Sequence, residues 1–274
     1  MINKLTLTSG YKNGRSWLKD TFYTRPFKVA NVGIYKQDPA LYLMLMSSSP
    51  GILDGDHYEI DIRLEKNSHL QLQSQSYQRL FNMKSGALQQ QRITMEEHSV
   101  FSYVQHPVVP HENAIFKTHT VVQMADNCHL TLGEIITCGR KHSGEVFRFS
   151  KFHSITEIFH RQKLIVKDNL LLQPQLLPMQ AVGQMEGYTH QATLLHVNTG
   201  VYDMEALPAK LRLLLEHEQD MAFGVSLSGA KCVVVRILGN GGEQLYDCLR
   251  RVQRYLWEEA GKAVAAEQLK TVMA

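Results

Sequence analysis

Residues 58–65 alternate without a break: Tyr58, Ile60, Ile62 and Leu64 are apolar, while Glu59, Asp61, Arg63 and Glu65 are charged. A period of two puts the first set on one face and the charges on the other, which predicts a half-buried strand. Lys66-Asn67-Ser68 supplies turn chemistry, after which Leu70 and Leu72 resume the alternation. The unit recurs. Asn67-Ser68-His69-Leu70 is followed by His98-Ser99-Val100-Phe101 and Asn127-Cys128-His129-Leu130, spaced by 31 residues (67 to 98) and 29 residues (98 to 127). Three copies of strand, polar turn, strand at this spacing predict stacked β coils or layered sheets, with segments 76–90 and 105–116 on one side.

The first fifty residues predict two or three further strands, broken at Pro26 and Pro39. VFRF (146–149), ITEIF (155–159) and KLIVKDNLLL (163–172) continue the pattern, with a turn expected at Lys167-Asp168-Asn169 and a surface connection at 173–178. Past residue 200 the period changes. Leu207, Leu211 and Leu214 predict an amphipathic helix, and 228–238 a buried β-branched strand stopped by Gly239-Asn240-Gly241-Gly242. Leu245, Leu249, Val252 and Leu256 mark one face of a helix over 243–260, with Arg250, Arg251 and Arg254 as a basic exposed stripe. The expected fold class is mainly β: stacked β coils or layered sheets with a small C-terminal α+β part carrying two or three helices. No Gly-, Ser- or Pro-rich linker divides the chain, so one composite domain over 1–274 is expected. Its β-rich body is 1–200 and its helix, strand and helix part 201–274.

Composition narrows the function. With 44% hydrophobic and 20% charged residues the chain is that of an ordered protein. A net charge of +3 is too small to imply a nucleic-acid or membrane partner. The apolar run at 41–46 is far shorter than a membrane span, and the first residues lack a signal-peptide core, so a cytoplasmic protein is expected. Four cysteines without a C-x-x-C pair indicate scattered thiols rather than zinc or disulfides. Neither G-x-S-x-G nor a phosphate-binding G-x-x-x-x-G-K-[ST] is present, so no enzyme class is signalled.

Three segments could carry chemistry. Asp54, Asp56 and His57 could bind a divalent cation, though a Pro-Gly turn followed by an Asx turn explains them as well. His106 and His111 flank two prolines, with Glu112 and Asn113 following, and suit either a ligand or a self-bonded loop. Cys138 and His142, near Glu134 and Glu145, could bind zinc or nickel but fall short of four ligands.

Taken in order, SPGILDGD (49–56), SQSYQRLF (74–81), PVVPHENAIF (107–116), CGRKHSGEVFRF (138–149) and GYTH (187–190) resemble the urease accessory protein family UreD, also called UreH. The resemblance runs from about residue 20 to about 200 and is loose beyond. It implies a non-catalytic scaffold that binds UreF, which recruits the GTPase UreG, and that docks on apo-urease to help deliver nickel, for which a water-filled passage has been proposed. No tightly bound cofactor is implied, only transient nickel. The positions carried over are Asp54, Asp56, Ser74, Gln75, Glu112, Asn113, Glu134, Arg140 and Glu145; Leu249, Arg250, Val252, Arg254 and Leu256 are the expected UreF contact. Asp54, Asp56 and Glu134 would line a route of weak oxygen ligands, which releases an ion more readily than thiolate or imidazole. The alternative is a β-solenoid carbohydrate-binding protein or enzyme. A third reading, a metal-binding protein using its histidine-rich loops, rests on the 13 histidines.

Overall fold

The computed structural model describes residues 2–35, 37–201 and 203–273, with 263–273 as helix backbone alone. Its strands are β1 (Ile2–Lys12), β2 (Arg15–Tyr23), β3 (Phe27–Asn31), β4 (Leu41–Ser47), β5 (His57–Leu64), β6 (His69–Ser74), β7 (Gln78–Leu80), β8 (Ala87–Met95) and β9 (Val100–Val104). They continue as β10 (Val108–Pro110), β11 (Ile115–Met124), β12 (His129–Thr137), β13 (Lys151–His160), β14 (Lys163–Leu172), β15 (His190–Asn198), β16 (Ala222–Leu227) and β17 (Cys232–Gly239). Two α-helices, α1 (Leu207–Leu213) and α2 (Gly242–Met273), complete the described elements with a short 3₁₀ turn at Lys141–Ser143. The molecule is thus mainly β with a small helical part.

The chain winds between two facing sheets. Sheet A has the order β14-β13-β11-β8-β5-β1-β2, and sheet B runs β16-β17-β15-β12-β9-β6-β4-β3. The central strands of each sheet are parallel: β1, β5, β8, β11 and β13 in one, β4, β6, β9 and β12 in the other. Three passes from sheet A to sheet B (β5 to β6, β8 to β9 and β11 to β12) turn at the recurrent motif. Asn67, His98 and Asn127 hold φ of 62°, 60° and 56° there, a region open to Asn and His at low steric cost. Ser68, Ser99 and Cys128 follow inside the corner, fully buried. Coils stacked at the predicted spacing are therefore what this periodicity encodes. On the far side β7 and β10 pair with each other, and Ile52 bridges Leu80, forming a third short ladder.

Several local expectations are corrected. The first fifty residues hold four strands rather than two or three. VFRF is not a strand; Phe147 takes a φ of 55° and Phe149 packs into the core. Lys167-Asp168-Asn169 lies within β14, not in a turn. The hairpin reverses instead at Arg161-Gln162, both at positive φ, as a tight two-residue connection requires. The polar run has cross-strand partners: Lys167 pairs with Glu157 at 2.8 Å and Asn169 with His153 at 2.8 Å. Residues 228–231 turn between β16 and β17, so the predicted strand begins at Cys232.

The main core fills the space between the sheets. A second core lies on the outer face of sheet B. There Val104, Ile135, Leu194, Val235 and Ile237 meet Leu207 and Leu211 of α1 and Leu245, Leu249, Val252 and Leu256 of α2. Gly133 makes this contact close. A Cβ at that position would sit 2.9 Å from a Val104 methyl and 3.3 Å from Leu249. Strand β9, covered by sheet A on one face and α2 on the other, is buried throughout.

Candidate functional site

Register decides what faces inward. Leu7, Ile62, Ile93, Val122, Ile158 and Val166 are neighbours across sheet A and make a wholly apolar row. Two residues along each strand the row changes. Ile60 is followed by Gln91, Thr120, Thr156 and Asp168. Across the gap, on sheet B, Glu134, Thr193 and Arg236 are neighbours, and Gln105 leads into them through its amide bond to Gly133. A polar strip therefore runs through the body, perpendicular to the strands, beside an apolar one.

Two cavities follow this strip. The larger, about 120 Å³, is lined near the surface by Pro50, Gly51, Ser74, Gln75, Tyr77 and His106, and inside by Gln89, Gln91, Tyr103 and Gln105. The smaller, about 40 Å³, is lined by Gln91, Gln105, Thr120, Glu134, Ser154, Thr156, Asp168 and Thr193. Gln91 and Gln105 belong to both linings, so the two spaces lie side by side along one row of polar groups. The smaller has room for a few waters.

Glu134 is the carboxyl at the centre. It is half-buried, Ser154 Oγ donates to its Oε2 at 2.8 Å, and desolvation pushes its pKa up to about 7. At the outer mouth, Ser74 Oγ lies 2.9 Å from His106 Nδ1, and the His106 amide donates to the same Oγ at 2.8 Å. The His106 ring stacks on Tyr246 of α2 at 4.2 Å, and burial lowers its pKa.

The other sequence-derived candidates do not join this strip. Asp54 accepts the Ser85 and Gly86 amides, both at 2.8 Å, which lower its pKa. Asp56 accepts the Leu53 amide at 2.8 Å and the Tyr58 hydroxyl at 3.0 Å. Both carboxylates thus fix the turn before β5 and do not share a wall with Glu134. Gly51 is needed where it is, because a Cβ there would lie 2.5 Å from the Arg79 carbonyl. Arg140 grips Glu145 through Nε at 2.9 Å and a second guanidinium nitrogen, and this lowers the Glu145 pKa. Glu145 also accepts the Glu112 amide, Glu112 reaches Arg148 at 3.6 Å, and Asn113 turns the chain at a φ of 60°. These five residues lock two loops together. Cys138 is buried and His142 exposed, so that pair does not form a site. No three His, Cys, Asp or Glu side chains converge as a metal site among the described residues.

The expected UreF contact is corrected in part. Leu249, Val252 and Leu256 are 0–2% exposed against sheet B, so a partner cannot reach them while α2 is docked. Arg250 and Arg254 face outward beside Asp247 in a shallow groove. Asp168 looks like part of a turn in sequence, and Gln91, Thr120, Thr156 and Arg236 carry no motif. Only the strand register aligns them, parallel for Gln91, Thr120 and Thr156 and antiparallel for Asp168 and Arg236.

No described helix is long and apolar enough to cross a membrane. A family model described as "UreD urease accessory protein" matches residues 3–270, so the relationship extends well beyond the segments recognised by motif. The chain is 61% identical over 257 residues to a protein of Flavobacterium johnsoniae, covering 94% of this chain and 93% of that one. It is 32% identical to one of Acetivibrio thermocellus (93% and 97%) and 33% identical to one of Haemophilus influenzae (93% and 99%). Each of the three is named urease accessory protein UreD. A match along almost its whole length, to the family model and to relatives up to 61% identical, places this chain in the UreD family of urease accessory proteins.

Proposed function

We propose that this chain is a cytoplasmic, non-catalytic scaffold of urease maturation. It joins UreF and the GTPase UreG to apo-urease and passes nickel through its interior toward the urease active site. The observation that carries the reading is the polar strip: a row of amides, hydroxyls and carboxyls through an otherwise apolar β body. Such a row supplies oxygen donors that can replace part of the hydration shell of Ni²⁺ without holding it as thiolates or imidazoles would. Glu134 is the group whose charge responds to the ion. A carboxyl that is about half protonated near neutral pH gives up its proton when a cation arrives and recovers it when the cation leaves. Nickel is thus cargo, and no tightly held cofactor is required.

The outward face of α2, with Arg250 and Arg254, is the surface assigned to UreF, the inward face being occupied by sheet B. The relatives' shared name disfavours the carbohydrate-binding alternative.

Reconstitution tests the proposal. Apo-urease, UreF, UreG, nickel, bicarbonate and GTP are mixed with and without this chain, and urea hydrolysis and protein-bound nickel are measured. Loading should depend on the chain. It should fall with Thr120→Leu plus Thr156→Leu, which fill the strip, while co-purification with UreF and UreG is retained. Full loading by the filled variant would remove the interior from the route.

A further inference from the structure

The strip ends at Arg236, a residue outside every recognised motif. Arg236 stands on sheet B, yet one guanidinium nitrogen pairs with Asp168 Oδ1 on sheet A, and another donates to Thr193 Oγ1 at 3.2 Å. Asp168 and Thr193 both line the smaller cavity. The side chain of Arg236 is 47% exposed and that of Asp168 21%. The guanidinium thus spans the two sheets, bonded to two residues of the cavity wall and about half exposed to solvent.

We propose that Arg236 is a removable lid on the far end of the polar strip. Paired with Asp168 it narrows the way from solvent into the cavity, and its permanent charge opposes a small cation at that mouth. An ion pair this exposed is weakly held, so the side chain can swing out without unfolding either sheet. Once it does, the Asp168 carboxylate faces the opening and the sign of the mouth reverses. The chain then offers a carboxylate where it had offered a guanidinium. That Ni²⁺ uses the mouth rests on the delivery reading above; that Arg236 closes the mouth does not.

Two measurements separate these statements. The first places a thiol inside the full-length chain with Thr156→Cys and follows its reaction with 2-aminoethyl methanethiosulfonate. The parent chain, whose four native cysteines are buried, supplies the background. Adding Arg236→Met should speed modification by at least about tenfold, as expected when a local closure is removed. Asp168→Ala should do the same. Equal rates in all three chains would overturn the lid and leave Arg236 as a staple between sheet edges. The second measures nickel loading of apo-urease in the complete assembly. Arg236→Met should load at least as fast as the parent, and Thr156→Leu should slow both. A faster thiol reaction with loading indifferent to Thr156→Leu would keep the lid and discard nickel conduction. An unchanged thiol reaction discards the lid whatever the nickel does.

Discussion

At Glu134 a single side chain carries both a stability cost and a chemical opportunity. Its folded-state pKa, about 7, lies above that of the unfolded chain, so its contribution to stability is fully present below about pH 4.5 and is lost as pH rises through 7. Glu134→Gln keeps an acceptor for Ser154 without the ionisation. The variant should therefore gain stability relative to the parent between pH 5 and pH 8, by on the order of 2–3 kcal/mol. Urea titrations at both pH values check this, and a pH-independent difference would contradict the raised pKa. A second residue-scale expectation concerns the corner at Asn127, held at a φ of 56°. Asn127→Val should cost on the order of 1–2 kcal/mol, because a β-branched residue resists the left-handed region, whereas Asn127→Gly should cost much less. Thermal unfolding of the pair would show it; equal losses would mean that side-chain contacts, not backbone conformation, set the cost.

Among the elements, α2 is where pattern and contact diverge. Its apolar face was plain from Leu245, Leu249, Val252 and Leu256, but a period of 3.6 says that a face is covered and not by what. The covering turned out to be this chain's own sheet B, made accessible by Gly133. Leu249→Ala should cost about 2–5 kcal/mol, the range for a fully buried leucine, read from the shift of a urea transition. A cost below 1 kcal/mol would show that α2 is loosely seated and would return its inner face to a partner. The strands tell the converse story. Alternation in β5 and the recurrent corner residues exposed the coil, because each signal is local. The polar strip stayed hidden because Gln91, Thr120 and Thr156 are ordinary strand residues that become a wall only through pairings some thirty residues apart. Asp168 escapes for a related reason: three adjacent polar residues look like a turn until the opposite strand supplies Glu157 and His153, and the facing sheet Arg236, as partners.

For the molecule as a whole, buried histidines set the response to acid. Burial lowers His69, His129 and His190 to about 4 and His196 to about 3. A depressed histidine pKa means that the unfolded chain binds protons the folded chain refuses, so stability falls as pH drops from about 6.5 toward 4. Four such groups outweigh Glu134, which acts in the opposite direction. The expected slope is on the order of a few kcal/mol per pH unit near pH 5.5, seen as urea midpoints that rise steadily between pH 5 and pH 7. A flat profile would mean that the imidazoles reach solvent. The same stack carries a limit on its own growth. Sheet A's parallel run ends at β2 on one side and β14 on the other, and both are antiparallel to their neighbours, as is β3 at the end of sheet B. A second copy arriving at these edges meets a chain running the opposite way and cannot add another turn in phase. The body is thereby a ruler of fixed length, its reach set by the number of coils.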